Sequence, residues 1–237
     1  MKIKVNKIDR PIWIGTIPRS RSSMIAGIFK RCGAFTGSVE YGFHNSRGLY
    51  ENPIITNACF YDTVNDAGGL KGLFNLYTNN IVPKLPLFKE TFTFLMNQQG
   101  YKKGATVYKH AIHLFFIDQI MKEFPNSIWI FPKRKIEDII KSHIKTWKLS
   151  DEQINKHCIM WAFLIDAAIK KYPKSCYIVD TDKIVKESEF ANIKNIVHKI
   201  EELNWKDNSV KDWVNSDSVQ VHNKEIKPRN SARGFWI

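Results

Sequence analysis

No stretch of this sequence is apolar for long enough to span a membrane, and its N-terminus, MKIKVNKIDR, has no apolar core of signal-peptide length. Cysteine is sparse: Cys32, Cys59, Cys158 and Cys176 are scattered without C-x-x-C spacing, which argues against a disulfide framework and against a zinc site. Buried reduced thiols in a soluble, cytoplasmic protein are the expectation. Internal repeats and low-complexity linkers are missing, so residues 1–237 read as a single domain with one sizeable core. Acidic residues are few, 23 against 36 Lys and Arg, and the net charge is +13. Such a charge suits nucleic acid, a membrane surface or a polyanionic small molecule. No short block of consecutive basic residues stands out, however, and charge spread along helices weakens the nucleic-acid reading.

What is present begins with Pro11 to Cys32, PIWIGTIPRSRSSMIAGIFKRC. Ile12-Trp13-Ile14 is too short for a helix, whereas Met24, Ile25, Ile28, Phe29 and Cys32 recur at helical spacing. The local pattern is strand, loop, helix. A loop of this kind brings backbone N–H groups and a helix N-terminus to one point, which suits a phosphate. Arg19 and Arg21 add positive charge, and Ser20, Ser22 and Ser23 add hydroxyls. The Walker A pattern fits poorly, because Ser20-Arg21-Ser22 lacks its second glycine and has Arg for Lys. An arginine-rich helix cap without a ligand is the competing reading of this segment.

Further on, Thr106-Val107-Tyr108 and Ile128-Trp129-Ile130-Phe131 read as strands, each followed by a helical pattern: Ile112 to Phe124 closed by Pro125, and Ile136 to Trp147. A long amphipathic helix from Asp151 to Tyr172 precedes a last strand, Tyr177-Ile178-Val179, and Phe190 to Leu203 has the spacing of a final helix. Alternating strands and helices predict an α/β fold: a parallel central sheet covered by helices in three layers. Residues 34–104 are weakly patterned, with short helices near Ile54 to Phe60 and from Leu87 to Gln98 and a break at Gly68-Gly69. Residues 206–237 read as a polar, basic C-terminal segment, in which Lys224, Lys227, Arg229 and Arg233 suggest a frayed tail.

Pro18-Arg19-Ser20-Arg21-Ser22-Ser23 resembles the P-R-S-G-T-S loop of sulfotransferases, with Arg21 in place of glycine. The likeness extends to Ala26-Gly27-Ile28-Phe29 and Cys32-Gly33-Ala34. It extends also to Asn45-Ser46-Arg47-Gly48-Leu49-Tyr50-Glu51-Asn52, similar to the N-P-R-G-F-F-E-N segment of bacterial and phage members. Lys109, His113, Phe124-Pro125, Arg134, Asp138 and Ser142 fall in register with the family's second conserved run, where Lys135-Ile136 replaces Asp-Pro. Asp180-Thr181-Asp182-Lys183 stands in the place of the family's Y-E-D-L turn.

The resemblance implies a P-loop-type fold and transfer of a sulfuryl group from 3′-phosphoadenosine 5′-phosphosulfate (PAPS), leaving PAP, to a hydroxyl or amine acceptor. It implies that Pro18 to Ser23, with Arg19 and the amides of Ser20 to Ser23, hold the 5′-phosphosulfate. Arg134 and Ser142 would bind the 3′-phosphate, and Lys109 would stabilise the transferring group. Taken singly, Arg134 also reads as a surface charge and Ser142 as a solvent-facing helix position. For the base that takes the acceptor proton, Glu51 comes first, with its pKa raised by Tyr50, then His113 and Glu40; His44 and His110 are lesser candidates. Tyr41, Phe43 and Tyr50 would either line an acceptor pocket within residues 34–104 or pack their loop onto the core. The acceptor would be a small molecule or glycan, and no ligand cluster for a metal is visible. The alternatives are a P-loop nucleotide or small-molecule kinase, for which Phe131 to Arg134 offer no acidic residue, and a non-catalytic binder of nucleotides or nucleic acid.

Overall fold

The structure is a computed structural model describing residues 5–39, 48–81, 83–147 and 150–215. Glu40, Tyr41, Phe43, His44 and residues 45–47 of the resembling loop, with Lys224, Lys227, Arg229 and Arg233, lie outside the described residues.

The four apolar runs form β1 (Pro11–Ile14), β2 (Thr106–Lys109), β3 (Ile128–Lys133) and β4 (Cys176–Asp180), all parallel, in the order β2-β1-β3-β4. Helix α1 (Ser22–Arg31) follows β1. Before β2 come α2 (Pro53–Thr56), a π-helix (Asn57–Tyr61), α3 (Asp62–Asp66), α4 (Gly69–Thr78) and α5 (Phe88–Gln98). A 3-10 helix (Ile112–Phe116) and α6 (Ile117–Glu123) join β2 to β3, and α7 (Ile136–Trp147) and α8 (Asp151–Lys171) join β3 to β4. Last come α9 (Thr181–Glu187), α10 (Ala191–His198) and α11 (Asp207–Asn215).

Side chains alternate across a strand, so each run supplies both faces of the sheet. Trp13, Tyr108, Trp129 and Phe131 enter one core with Phe88, Phe92, Phe116 and Trp161. Ile12, Ile14, Val107, Ile130 and Val179 enter the other with Ile25, Ile28 and Phe29 of α1 and residues of α10 and α11. Covering both faces is what makes the strands read as unbroken apolar runs.

From β1 the chain moves to β2 on one side, then returns past β1 to β3 on the other. The C-terminal end of β1 is thus a switch point, where adjacent connections diverge and leave a crevice. Ile14 pairs with Lys109 on one flank and Ile130 on the other, so the loop after β1 lies between the ends of β2 and β3.

Several elements differ from the sequence expectation. Helix α4 is one the sequence pattern did not reveal: Gly68 and Gly69 do break the preceding helix, both at positive φ, but a second helix restarts there and buries Leu70 and Leu73. The stretch after β2 opens as a 3-10 helix rather than an α-helix, and a helix occupies Thr181–Glu187 where a turn was expected. The final helical pattern is helical only over Ala191–His198; Ile200 and Leu203 are buried in the turns that follow.

The C-terminal segment is also more ordered at its start than a frayed tail. Helix α11 buries Val210, Trp213 and Val214, and the Trp213 indole N–H donates to the Met24 carbonyl at 2.9 Å. The Arg31 guanidinium lies 3.9 Å from the Trp213 ring centroid. A Cβ at Gly27 would run into the indole, so the glycine in mid-helix is the room Trp213 needs. Gly27→Ala is therefore expected to cost about 2–3 kcal/mol of overpacking, since the indole and backbone must both shift, against the roughly 1 kcal/mol that alanine returns in helix propensity, a net destabilisation of about 1–2 kcal/mol. Denaturant midpoints measure this, and an unchanged or higher midpoint would show that α11 does not seat on α1.

Candidate active site

The loop after β1 starts at Gly15, where a side chain would press on Phe131 at 2.7 Å and Leu114 at 2.8 Å. The Thr16 and Ser20 hydroxyls share a hydrogen bond of 2.6 Å, and the Ser20 amide donates to the Ile17 carbonyl at 3.2 Å. The Ser20 amide and hydroxyl therefore shape the loop, where the sequence reading gave the amide to a ligand. Arg19 and Arg21 both hold left-handed backbone, at φ 72° and 65°. For residues with a Cβ this conformation costs on the order of 1 kcal/mol or more each, so the surroundings must impose it. Arg21 is the N-cap of α1 and makes no side-chain cap bond; the first turn carries no acidic residue. The amides of Ser22 and Ser23 lie in the first turn of α1, where a helix supplies no acceptor from its own backbone, so they stand at its positive end.

Arginine side chains gather above this loop. Arg19 Nε donates to Ser142 Oγ of α7 at 2.9 Å, and Arg134 Nη1 donates to the Arg19 carbonyl at 2.9 Å. Arg19 Nη2 and Arg134 Nε are buried without a hydrogen-bond partner among the described residues. Burial, and after it the charge of Arg134, lower the Arg19 pKa. Burial and then Arg21 lower that of Arg134, while Asp138 and Asp182 oppose the shift. Mutually repelling guanidiniums with unmade bonds are a poor structural device and a good anion site. The structure thus joins Arg19, Arg134 and Ser142 into one group, where the sequence reading had kept Arg19 apart.

Asp182 and Thr181 complete this side, and no role was assigned to them from the sequence. Arg21 Nη1 donates to Asp182 Oδ1 at 2.7 Å and to the Thr181 carbonyl at 3.1 Å. The signal for them was present: an Asp-Thr-Asp run at the end of the strand adjoining β3.

On the other flank, Lys109 ends β2 with its ammonium almost fully buried. It donates to Glu51 Oε1 at 2.6 Å and to the Leu49 carbonyl at 3.0 Å. Ser23 Oγ donates to the same carbonyl at 2.9 Å, which ties residues 48–52 to both α1 and β2. The Glu51 side chain keeps 31% exposure. Burial pushes the Glu51 carboxyl up, but the charges of Lys109 and His110 and the Lys109 hydrogen bond outweigh it and hold the carboxyl below its ordinary value. This corrects the expectation of a raised pKa. Tyr50, meant to desolvate Glu51, points the other way, with its ring edge-on to Trp213 at 5.8 Å. It packs the loop onto the core.

His113 lies inside the aromatic core, fully buried, with ring centroids 4.8 Å from Trp129, 5.6 Å from Tyr108 and 5.7 Å from Trp13. Burial first, then His110 and Lys109, drive its pKa well below 6.5 against a smaller opposing contribution from the Ile14 backbone, and the ring is neutral. His110 accepts from the Ile112 amide at Nδ1, 3.1 Å away; burial lowers its pKa, Glu51 raises it and Lys109 lowers it.

A depressed histidine pKa fixes the sign of a pH effect. The unfolded chain takes up a proton below about pH 6.5 that the folded His113 refuses, so its stabilising contribution is complete above that value and is lost as pH falls. His110, His143 and His157, also depressed, act in the same direction. The denaturation midpoint is expected to drop between about pH 7.5 and 5.5, and His113→Phe to flatten part of that drop. An equal slope in both proteins would mean that His113 protonates freely in the folded state.

A cleft of about 510 Å³ opens elsewhere, lined by Cys59, Asp62, Asp66, Leu76, Lys84 and Pro86 among others. It shares no residue with the arginine group and lies within residues 34–104.

The fold is that of a known class. The chain is similar to the sulfotransferase STF1 from Mycobacterium tuberculosis H37Rv (type1 form), with a TM-score of 0.52, 14% sequence identity, and coverage of 88% of this chain and 72% of that one. No family model matches the chain, and no curated protein matches it in sequence. At that identity the likeness is one of fold.

Proposed function

We propose that this chain is a PAPS-dependent sulfotransferase acting on a hydroxyl or amine of a small molecule or glycan. One observation carries the reading: Arg19, Arg134 and Ser142 converge at the switch point of a sulfotransferase-like fold, with guanidinium N–H groups buried and unpartnered among the described residues. When bound, PAPS supplies a sulfuryl group already joined to a phosphate leaving group. The residues present fit such an anion, because the N-terminus of α1 adds amide donors to the arginine charge.

In this reading Arg134, Ser142 and the Arg19 guanidinium hold the 3′-phosphate, and the amides at Ser22 and Ser23 hold the 5′ group. Lys109, fixed by Glu51 and the Leu49 carbonyl, offers charge to the transferring group from the end of β2. Glu51 is ionised at neutral pH and receives the proton of the acceptor. His113 cannot meet an acceptor from inside the core and is given no such part. Residues 34–104 supply the acceptor site.

Calorimetric titration with PAP, ATP and single-stranded DNA tests the proposal. Tight binding of PAP without preference for ATP is expected. Preference for ATP would replace the reading with a kinase, and salt-sensitive DNA binding with a nucleic-acid binder.

A further inference from the structure

Three consecutive residues from the last of β4 onward divide three tasks. Asp180 caps α9, its Oδ1 accepting from the amides of Asp182 at 3.0 Å and Lys183 at 3.2 Å. With the cap supplied, the next two side chains are available to the crevice. The Thr181 hydroxyl is buried and reaches the carbonyl oxygens of Lys133 at 2.9 Å and Ser20 at 3.4 Å. Asp182, its side chain 11% exposed, accepts from Arg21 Nη1 with Oδ1 at 2.7 Å and from the Lys135 amide with Oδ2 at 2.9 Å. Lys186 Nζ stands 3.4 Å from Oδ1.

We propose that Asp182 is a positioning residue that clamps Arg21 in its left-handed backbone, and so sets the anion loop after β1 against the turn after β3. This rests on the donor-site reading above. The clamp has a reason in conformational energy: Arg21 at φ 65° is unfavourable unless something outside the loop holds it. The two carboxylate oxygens serve two segments at once, the loop after β1 through Arg21 and the turn after β3 through Lys135. If Arg21 relaxes, the amides at Ser22 and Ser23 turn with it, and so does the Arg19 carbonyl that receives Arg134. The carboxyl is held down at about 2, since burial raising it is outweighed by the Lys135 amide and Arg21. It is therefore charged at neutral pH.

Asp182→Asn tests this with a sign that distinguishes it from charge alone. Neutralising a carboxylate beside an anion site should by electrostatics tighten PAP binding. The clamp predicts the opposite, because an amide has one acceptor oxygen and sets its NH2 against either Arg21 or the Lys135 amide. PAP affinity is expected to fall about tenfold or more. Glycine adopts positive φ freely and needs no acceptor, so in an Arg21→Gly background Asp182→Asn should cost less than about threefold. Affinity unchanged or raised in Asp182→Asn, or an equal loss in both backgrounds, overturns the clamp while leaving the donor reading intact. Should the wild type not bind PAP, the donor reading falls, and the same four proteins compared by thermal unfolding decide the clamp. Strongly non-additive shifts support it, and additive shifts overturn it.

Discussion

Arg134→Ala is expected to weaken PAP binding by about ten- to a hundredfold and to change the affinity for adenosine 5′-phosphosulfate far less. A charge-assisted bond is worth about 1.5–3 kcal/mol, and each 1.4 kcal/mol is a factor of about ten. The two ligands differ in the 3′-phosphate, so the difference between their losses isolates what Arg134 does for that group. Some loss is shared, because Arg134 also holds the Arg19 carbonyl at 2.9 Å and its removal loosens the loop. Arg134→Lys should recover only part of the affinity, since an ammonium lacks the planar fork. Arg19→Ala should follow the pattern of Arg134→Ala, because its Nε is bonded to Ser142. Equal losses for the two ligands in Arg134→Ala would remove it from the 3′-phosphate.

Glu51→Gln is expected to retain PAP binding and reduce turnover on the order of a hundredfold or more. Glutamine keeps an oxygen for Lys109, which donates to Glu51 at 2.6 Å, so the ammonium stays in place while the proton acceptor is lost. The pH profile adds a second reading. A base must be deprotonated to act, so rate falls as pH drops through its pKa, and Glu51 sits below the ordinary carboxylate value. No acid limb near neutrality should arise from it. An acid limb that persists in Glu51→Gln, or wild-type turnover in that variant, would move the proton to His110. Lys109→Ala should also lower turnover, and should leave Glu51 without the charge that keeps its carboxyl low.

The strands were legible because a sheet buried on both faces demands unbroken apolar runs, and Ile12-Trp13-Ile14 and Ile128 to Phe131 are such runs. The strand, loop and helix around Arg19 and Arg21 were legible because the hydrophobic period changes between Ile12–Ile14 and Met24–Cys32. Helix α11 was less so, although Val210, Trp213 and Val214 carry helical spacing, because the polar residues between them dominate the composition. The reason for Gly27 became visible only with Trp213 beside it, 186 positions along the chain (213 − 27).

Chemistry-bearing residues followed the same division. Local order along the chain determined that Arg19, Lys109 and Arg134 each stand at or just beyond a strand's C-terminal end, since a parallel α/β chain brings those ends to one edge. Which of them touch, and with what protonation, was decided by tertiary structure. Lys109 against Glu51 reverses the expected pKa shift, Ser142 draws the Arg19 guanidinium across the crevice, and Asp182 claims Arg21 from 161 residues away. The physical reason is range. Hydrophobic period and backbone preference act over a few residues and are written in the local sequence. Coulomb interactions and hydrogen bonds depend on distances through space that only the crossing of β1 by its neighbours establishes.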